Sequence, residues 1–330
     1  MSPFTPLRLG ALCILTAAFH PVPSAPSRIA FASKRDGNWE VYAMDADGGG
    51  ETRLTTGDGQ DRFPLWSPDG TRIVFGSERP TGWELRVMRA DGTDVRPLCG
   101  RIVAKGHREW SPDGTRVALA SSRDGDVEVY VARADGAGLA RLTTSPGEDR
   151  DPSWSPDGTR IAFTSTRDGN AEIYVMRADG SEQTRLTRDA ARDEQPAWSP
   201  DGSAIAFVSA RDGNRELYLV RPDGRGLERL TDDPAADHVP VWSPDGTRIA
   251  FQSVRGDDYD VDVVRVAGRA RARLVASPGY DGMHTWSPDG ARIAFVSARD
   301  GAEALYVVSA EGGRPRRLTA GAVLDPRWSR

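Results

Sequence analysis

A repeat of 44 residues constrains this chain more than any other feature. The sequence Trp-Ser-Pro-Asp-Gly recurs six times with that spacing, and a truncated seventh copy, Trp328-Ser329, follows 42 residues after the last. The full copies begin at Trp66, Trp110, Trp154, Trp198, Trp242 and Trp286. A fixed period of this size is typical of repeat architectures. Because repeats occupy almost the whole chain, little length is left for a separate catalytic domain.

Each repeat contains three turn signals that separate four short β-prone runs. The turns read Pro-Asp-Gly, Arg-Asp-Gly-Asn and Ala-Asp-Gly, in which Pro fixes φ and Gly takes the left-handed position. The second run reads Arg-Ile-Ala-Phe, and its alternation places Ile and Phe on one face and Ala on the other. Four antiparallel strands in a repeat of about 40 residues form one propeller blade. Runs starting at residues 28, 72, 116, 160, 204, 248 and 292 therefore predict an all-β fold, a seven-bladed β-propeller.

The two ends of the chain predict how the ring closes. No Trp-Ser strand precedes Arg28, and the chain stops just after Leu324–Ser329, which has the sequence of that missing strand. We expect this C-terminal piece to supply the innermost strand of the blade whose other strands lie in residues 28–55. A ring closed in this way leaves no open interface between blades.

Residues 1–25 have the pattern of a secretory signal peptide. Arg8 precedes the apolar run Leu9–Phe19, and small residues around Ser24 and Ala25 predict cleavage near Ala25. The run is too short to span a bilayer, and a disordered N-terminal tail is the alternative interpretation. We expect residues 26–330 to form the propeller, and the exported protein to be periplasmic or secreted.

Composition narrows the choice of partners. The net charge is −5 and no Lys/Arg cluster is present, which argues against nucleic acid and against membrane insertion after cleavage. Cys13 lies in the leader, so Cys99 is left alone without an internal disulfide. Cys99 replaces the Thr that ends most repeats, which favours a small buried side chain over a reactive thiol. We expect a monomer.

Strand direction predicts which loops carry function. Pro-Asp-Gly and Ala-Asp-Gly turns fall on one face, called the bottom, and barely vary, as structural turns do. Arg-Asp-Gly-Asn turns and the connections between blades fall on the top face, and the connections vary. The residues just before each tryptophan, where the repeats stop agreeing, are therefore where we expect function.

Aspartate stands five residues before the tryptophan in most repeats. Its positions are Asp61, Asp149, Asp193, Asp237 and Asp281, and the exceptions are Lys105 and Val323. These carboxylates are expected to form a partial acidic ring at the channel mouth. Such a ring would suit a hard cation or a basic partner. Alternatively, each Asp caps its own loop by accepting bonds from nearby backbone N–H groups.

The other predicted binding residues of the channel mouth are the three histidines that follow the leader. They are His107, His238 and His284, at three, four and two residues before their tryptophans. A transition-metal site would need them to converge. His107 lies three blades away from the others and the three offsets differ, so we predict no metal and no other cofactor, with a divalent cation as the alternative.

Catalytic motifs are missing from the sequence. It contains no Gly-x-Ser-x-Gly nucleophile elbow, no phosphate-binding loop and no Cys-x-x-Cys pair. Fragments such as Asp45–Gly48 lack the downstream Glu of an EF-hand loop. We therefore predict no catalytic residues.

The run Trp-Ser-Pro-Asp-Gly-Thr-Arg-Ile-Ala-Phe, followed by Arg-Asp-Gly-Asn and Arg-Leu-Thr, resembles the WD40-like PD40 repeat of the TolB family. The resemblance covers essentially everything after residue 26. TolB is a periplasmic protein of the Tol–Pal envelope system, with an N-terminal α/β domain ahead of a six-bladed propeller. This chain departs from it in having seven repeats and no room for that domain.

The resemblance implies an exported, non-enzymatic scaffold that binds a protein or peptide partner on its top face. A purely structural role in an envelope assembly predicts the same sequence features. The alternative is a metal-dependent carbohydrate-active enzyme, since oligogalacturonate lyase is similar in its Ser-Pro-Asp-Gly turns and holds a metal by histidines at the channel. No residue of this chain matches that family's catalytic positions.

Overall fold

The chain folds into seven four-stranded antiparallel sheets arranged as the blades of a propeller. The computed structural model describes residues 27–100, 102 and 107–329. The predicted leader (residues 1–25) and Lys105 lie outside these residues. Within the described ranges, no helix is long and apolar enough to cross a membrane. The predicted all-β, seven-bladed architecture is confirmed.

Strand bounds follow the repeat. In chain order the strands are β1 (Arg28–Ser33), β2 (Glu40–Asp45), β3 (Thr52–Arg53), β4 (Asp61–Trp66), β5 (Arg72–Arg79), β6 (Gly82–Arg89), β7 (Arg96–Gly100), β8 (Arg108–Trp110), β9 (Arg116–Ser121), β10 (Glu128–Arg133), β11 (Leu139–Arg141), β12 (Asp149–Trp154), β13 (Arg160–Ser165), β14 (Glu172–Arg177), β15 (Thr184–Arg185), β16 (Asp193–Trp198), β17 (Ile205–Ser209), β18 (Glu216–Val220), β19 (Glu228–Arg229), β20 (Ala236–Trp242), β21 (Arg248–Arg255), β22 (Asp258–Arg265), β23 (Arg271–Val275), β24 (Asp281–Trp286), β25 (Arg292–Ser297), β26 (Ala304–Ser309), β27 (Arg316–Arg317) and β28 (Val323–Trp328).

The last strand closes the ring as predicted. β28 pairs antiparallel with β1, in the order β28-β1-β2-β3, and the other blades use four consecutive strands. We number this closing blade 1 and the others 2 to 7 along the chain. The Arg28 N–H donates to Ser329 Oγ at 2.8 Å, and the Ser329 N–H donates to the Arg28 carbonyl at 2.8 Å. The first and last described segments are therefore joined within one blade.

The Ser-Pro-Asp-Gly segment builds the bottom turn between the first two strands of a blade. In blade 2, Ser67 Oγ donates to the Asp69 carboxylate at 2.5 Å and accepts the Arg72 N–H at 2.9 Å. The same carboxylate accepts the Thr71 N–H at 3.1 Å, and Gly70 takes a φ of 67°. Ser67, Asp69 and Gly70 therefore each stabilise this turn, through hydrogen bonds or through a positive φ. The motif recurs because every blade needs the same turn geometry.

The core lies between blades. Seven clusters of buried apolar residues each join one blade to the next. In the cluster between blades 4 and 5, Ala162 and Val175 pack against Ile205 and Phe207. This confirms that Arg-Ile-Ala-Phe presents a small face to one neighbour and a large face to the other. Cys99 is buried between blades 2 and 3 as expected, and burial raises the pKa of its thiol to about 11.

Six of the seven interfaces between blades also stack a cation on a repeat tryptophan. The arginine that opens the second-strand run of one blade lies over the Trp ring of the next, with guanidinium-to-centroid distances from 4.6 to 5.9 Å in six interfaces. Blade 5 has Ala204 at this position. Its partner Trp242 is only half-buried, whereas the other six repeat tryptophans are buried.

We expect Ala204→Arg to stabilise the fold by about 0.5–1 kcal/mol, since a cation over an indole face contributes that much at an accessible site. Urea unfolding followed by tryptophan fluorescence measures the gain. Arg160→Ala, which removes the 4.9 Å contact with Trp198, is the matched control and should lose a similar amount. A loss at Arg160 without a gain at position 204 would show that the two interfaces are not equivalent.

Candidate functional site

The five predicted aspartates are buried inside their blades. Asp61 is 5% exposed, and Asp149, Asp193, Asp237 and Asp281 are fully buried. In blade 4, Asp149 accepts hydrogen bonds from Arg167 at 2.8 Å and from Ser145 at 3.0 Å. Arg167 belongs to the top turn of the same blade. The expectation of a partial acidic ring at the channel mouth is therefore corrected: these carboxylates are buried against side chains of their own blade, and these partners are not the N–H groups that a loop cap would use.

A second buried carboxylate lies on the third strand of several blades. Glu172 is fully buried and accepts from Arg185 at 2.6 Å, from Thr187 Oγ1 at 2.6 Å and from the Asp189 N–H at 3.0 Å. The same Glu–Arg–Thr arrangement occurs at Glu40, Arg53 and Thr55, at Glu128, Arg141 and Thr143, and at Glu216, Arg229 and Thr231. The Arg-Leu-Thr motif thus has a structural explanation as the partner of this carboxylate.

Blade 6 arranges these groups differently. Asp260 and Asp262 are fully buried there, and the latter accepts from Arg271 at 2.6 Å. Arg271 also contacts Asp233, so it approaches Asp237 only at 3.3 and 3.4 Å. Burial raises the pKa of Asp237 from 3.8 to about 7, and Arg271 opposes that shift only in part.

This shift predicts a stability difference that depends on pH. Between about pH 4 and pH 7 the folded protein keeps a proton on Asp237 that the unfolded chain releases, so this group lowers stability as pH rises. We expect Asp237→Asn to be more stable than the wild type at pH 8 and close to it at pH 4. Urea unfolding at both values measures this. Asp149→Asn is the control and should be destabilising at both, since it weakens a 2.8 Å ion pair; the same behaviour at position 237 would contradict the assignment.

The three histidines do not converge. His284 is buried, and burial lowers its pKa to about 4. The Nδ1 atom of His107 lies 3.1 Å from the Pro152 carbonyl oxygen, and that of His238 lies 3.5 Å from Arg215. In the described part of the chain, no group of three His, Cys, Asp or Glu side chains is placed to hold a metal ion.

A ring of residues from the innermost segment of each blade surrounds the channel instead. They stand three residues before each repeat tryptophan: Phe63, His107, Asp151, Gln195, Val239, Met283 and Asp325. Six of the seven, all except His107, have φ between 51° and 58°. A bulge in the innermost strand at this point re-aims the side chain, which is a common use of bulges. We call this set the channel ring.

Some channel-ring residues of neighbouring blades contact each other. Gln195 Oε1 accepts the Val239 N–H at 2.9 Å, and the Asp325 N–H lies 3.3 Å from Met283 Sδ. His107 is near enough to Asp151 to lower the pKa of that carboxyl, which burial raises. Val239 is 44% exposed although it lies in the innermost strand. Val239 is therefore open to solvent at its position in the ring.

On one side of the channel, three arginines act on one carboxylate. Arg62, Arg108 and Arg327 all act on the carboxylate of Asp325, whose pKa burial raises and these three guanidinium groups lower. The distance from Arg62 Nη2 to Asp325 Oδ2 is 4.0 Å. Arg62 and Arg108 also lie over the Phe63 ring, at 4.8 and 5.3 Å from its centroid. We call Arg62, Arg108 and Arg327 the arginine cluster.

On the opposite side of the channel, carboxylates pair directly with arginines. Glu194 accepts from Arg150 at 2.6 Å and from Arg192 at 2.6 Å. Asp151 lies near Arg150 as well, at 3.7 Å. On this side, Glu194 and Asp151 therefore each have an arginine within 3.7 Å.

Comparison with known proteins identifies the repeat. The PD40 family, described as the TolB beta propeller domain, matches residues 101–195 and 191–261. Those segments carry the Trp-Ser-Pro-Asp-Gly turns and the ring positions of blades 3 to 6. This chain belongs to the TolB-like PD40 propeller family. No curated protein matches its sequence.

Solved structures share the fold of this TolB-like propeller at low identity. TolB from Acinetobacter baumannii is 21% identical with a TM-score of 0.62, over 92% of this chain and 83% of that one. An oligogalacturonate lyase in complex with manganese is 18% identical with a TM-score of 0.71, over 86% and 85%. A puromycin-hydrolyzing peptidase from Mycobacterium tuberculosis is 18% identical with a TM-score of 0.70, and this chain spans 53% of its length. Such identities show a common fold, on which different activities occur.

Proposed function

We propose that this TolB-like propeller is an exported, non-enzymatic scaffold that binds a protein or peptide partner through its channel. The observation that carries the proposal is the channel ring: one position in every blade varies in charge, size and polarity while the surrounding scaffold repeats. Variable side chains on a rigid frame are the usual arrangement of binding sites. The predicted leader supports an envelope location, periplasmic or secreted, and a monomer suits a ring with no open blade edge.

A matched pair of substitutions tests this proposal. The purified chain serves as bait in envelope extract, beside Val239→Arg in the channel ring and Leu227→Arg between β18 and β19. The two wild-type residues are similarly exposed, at 44% and 48%. We expect a partner that Leu227→Arg retains and Val239→Arg loses, with or without EDTA. Equal capture by both variants, or loss of capture with EDTA alone, would contradict the proposal.

The alternative is a metal-dependent lyase acting on acidic oligosaccharides. It is supported by the fold shared with oligogalacturonate lyase and by the arginine cluster, since guanidinium groups bind carboxylates well. Incubation with oligogalacturonate and Mn²⁺ tests it directly. Formation of an unsaturated product that EDTA abolishes would establish the enzyme and displace the scaffold proposal.

A further inference from the structure

We propose that a pocket beside the bottom turns of blade 2 binds a small dicarboxylate. The pocket has a volume of about 390 Å³, which lies in the range of small-molecule sites. Its charged lining residues are Arg72, Arg89, Asp94 and Arg96. None of them belongs to the channel ring, so this inference goes beyond the proposed function. We call this cavity the blade 2 pocket.

The charges of the blade 2 pocket favour a ligand that carries two negative charges. Three arginines and one aspartate line it, so positive charge is in excess by two. The Nε atom of Arg89 lies 3.9 Å from Asp94 Oδ2, and both side chains are more than half exposed. Guanidinium groups bind carboxylates through paired N–H donors. Two carboxylates on one ligand would balance the lining.

Arg72 and Arg96 are held in place by uncharged groups of blade 3. Arg72 donates to the Gly114 carbonyl at 2.8 Å and lies over the Trp110 ring at 5.2 Å. Arg96 donates to the two carbonyl oxygens of Ala134–Asp135 at 3.4 and 3.2 Å. Neither guanidinium forms an ion pair with a carboxylate of the described residues. Both cations are therefore positioned before an anion arrives, which lowers the entropic cost of binding one.

In blade 6, a glutamate occupies the equivalent place. Arg248 and Arg265 correspond to Arg72 and Arg89, four repeats along the chain. Arg248 is held as Arg72 is, over a tryptophan ring at 5.0 Å and by a carbonyl oxygen at 3.0 Å. Its Nη1 also donates to Glu311 Oε1 at 2.7 Å, and Arg265 Nη2 lies 3.6 Å from Glu311 Oε2. The Glu311 carboxylate thus shows how one end of the ligand would lie between two such arginines.

Blade 3 does not supply this carboxylate to the blade 2 pocket. The residue equivalent to Glu311 is Asp135, whose side chain is shorter by one methylene. Its carboxylate accepts from Arg133 Nε at 3.1 and 3.2 Å and from the Ala137 N–H at 2.9 Å, all within its own turn. Blade 2 is also the one blade with arginine at the positions of Arg72, Arg89 and Arg96 together. It therefore combines the most cationic lining with no internal anion.

Isothermal titration of the full chain with glutarate tests the inference. Propionate is the probe with one carboxylate, glutaramide is the neutral probe, and inorganic phosphate is the competing anion. We expect glutarate to bind, propionate to bind at least about tenfold more weakly, and glutaramide not to bind, since each charge-assisted contact contributes that much. Added salt should weaken glutarate binding, because the pocket is partly exposed.

Two arginine variants locate the site. Arg96→Ala should weaken glutarate binding about tenfold or more. Arg89→Ser should weaken it about three- to fivefold, because this exposed charge is screened by water. Both replacement residues already occur at these positions of other blades, at Ala140 and Ser309, so we expect Tm values close to that of the wild type. Arg177→Ser is the matched control in blade 4, where Glu182 pairs with Arg177 at 2.8 Å, and it should leave glutarate binding unchanged.

A third variant fills the pocket from within. Asp135→Glu should weaken glutarate binding about tenfold or more, because the longer side chain can bridge Arg72 and Arg89 as Glu311 bridges its arginines. The same substitution at the equivalent position of blade 4, Asp179→Glu, is the control and should bind glutarate as the wild type does.

The inference would be overturned by absence of glutarate binding, or by propionate or inorganic phosphate binding as tightly as glutarate. Wild-type affinity in Arg96→Ala, or equal weakening by Arg177→Ser, would also remove the site from blade 2. Val239→Arg in the channel ring should bind glutarate as the wild type does. Partner capture at the channel and glutarate binding can therefore fail independently.

Discussion

Deletion of residues 322–330 should abolish the cooperative unfolding transition of the propeller. The deletion removes β28, whose side chains Val323, Leu324 and Trp328 are all buried. Burial of each stabilises the fold by roughly 1.5–3 kcal/mol. Their sum approaches the whole stability of a typical domain, about 5–15 kcal/mol. The inner edge of β1 would also lose its hydrogen-bonding partner.

Urea unfolding followed by tryptophan fluorescence and by far-ultraviolet circular dichroism gives the readout. A synthetic peptide of residues 321–330, added in trans, should restore the transition to the truncated chain, and a scrambled peptide should not. The closure would be refuted by a truncated chain whose midpoint and cooperativity equal those of the full chain.

The second large effect is expected at a buried carboxylate. Glu172→Ala should destabilise the fold by about 2–5 kcal/mol, because it leaves buried donors without their acceptor, and each such loss costs about 1–3 kcal/mol. Arg185 and Thr187 lose their acceptor at 2.6 Å in this variant, and so does the Asp189 N–H. The double variant Glu172→Ala/Arg185→Leu should lie within about 1 kcal/mol of Glu172→Ala, since Arg185 keeps Asp168 as a partner at 2.9 Å in the single variant and gives up only a partly exposed ion pair in the double one.

Glu148→Ala is the control in the same blade. Glu148 pairs with Arg150 at 3.3 Å, but its side chain is more than half exposed, so its loss should change the free energy of unfolding by less than about 1 kcal/mol. Denaturant unfolding of all three variants gives the comparison. Similar losses at positions 148 and 172 would mean that burial does not set the strength of these pairs.

Sequence reasoning predicted the fold because the fold is built from local rules that repeat. Turn chemistry at Ser67–Gly70 and the alternation in Arg28–Phe31 define a blade without long-range information. Ring closure followed from one missing strand and one surplus strand. The burial of Asp149 was missed because its partner Arg167 lies 18 residues away, although an arginine stands at this turn position in all seven repeats.

The candidate site was harder to predict for a geometric reason. Arg62, Arg108 and Arg327 stand at three different offsets from their tryptophans, so no motif links them. Their proximity depends on ring closure and on bulges that redirect single side chains. Of the channel ring, only His107 was among the predicted residues. The available signal was the disagreement among repeats three residues before each tryptophan.

The channel-ring positions can change in evolution without changes in the packing between blades. Each blade contributes one side chain to the channel, and that side chain lies outside the apolar clusters between blades. A single codon change there can exchange a carboxylate for an amide or an aromatic ring, as the existing seven blades already illustrate. New ligand preferences can therefore arise one blade at a time, while selection on folding acts on other codons.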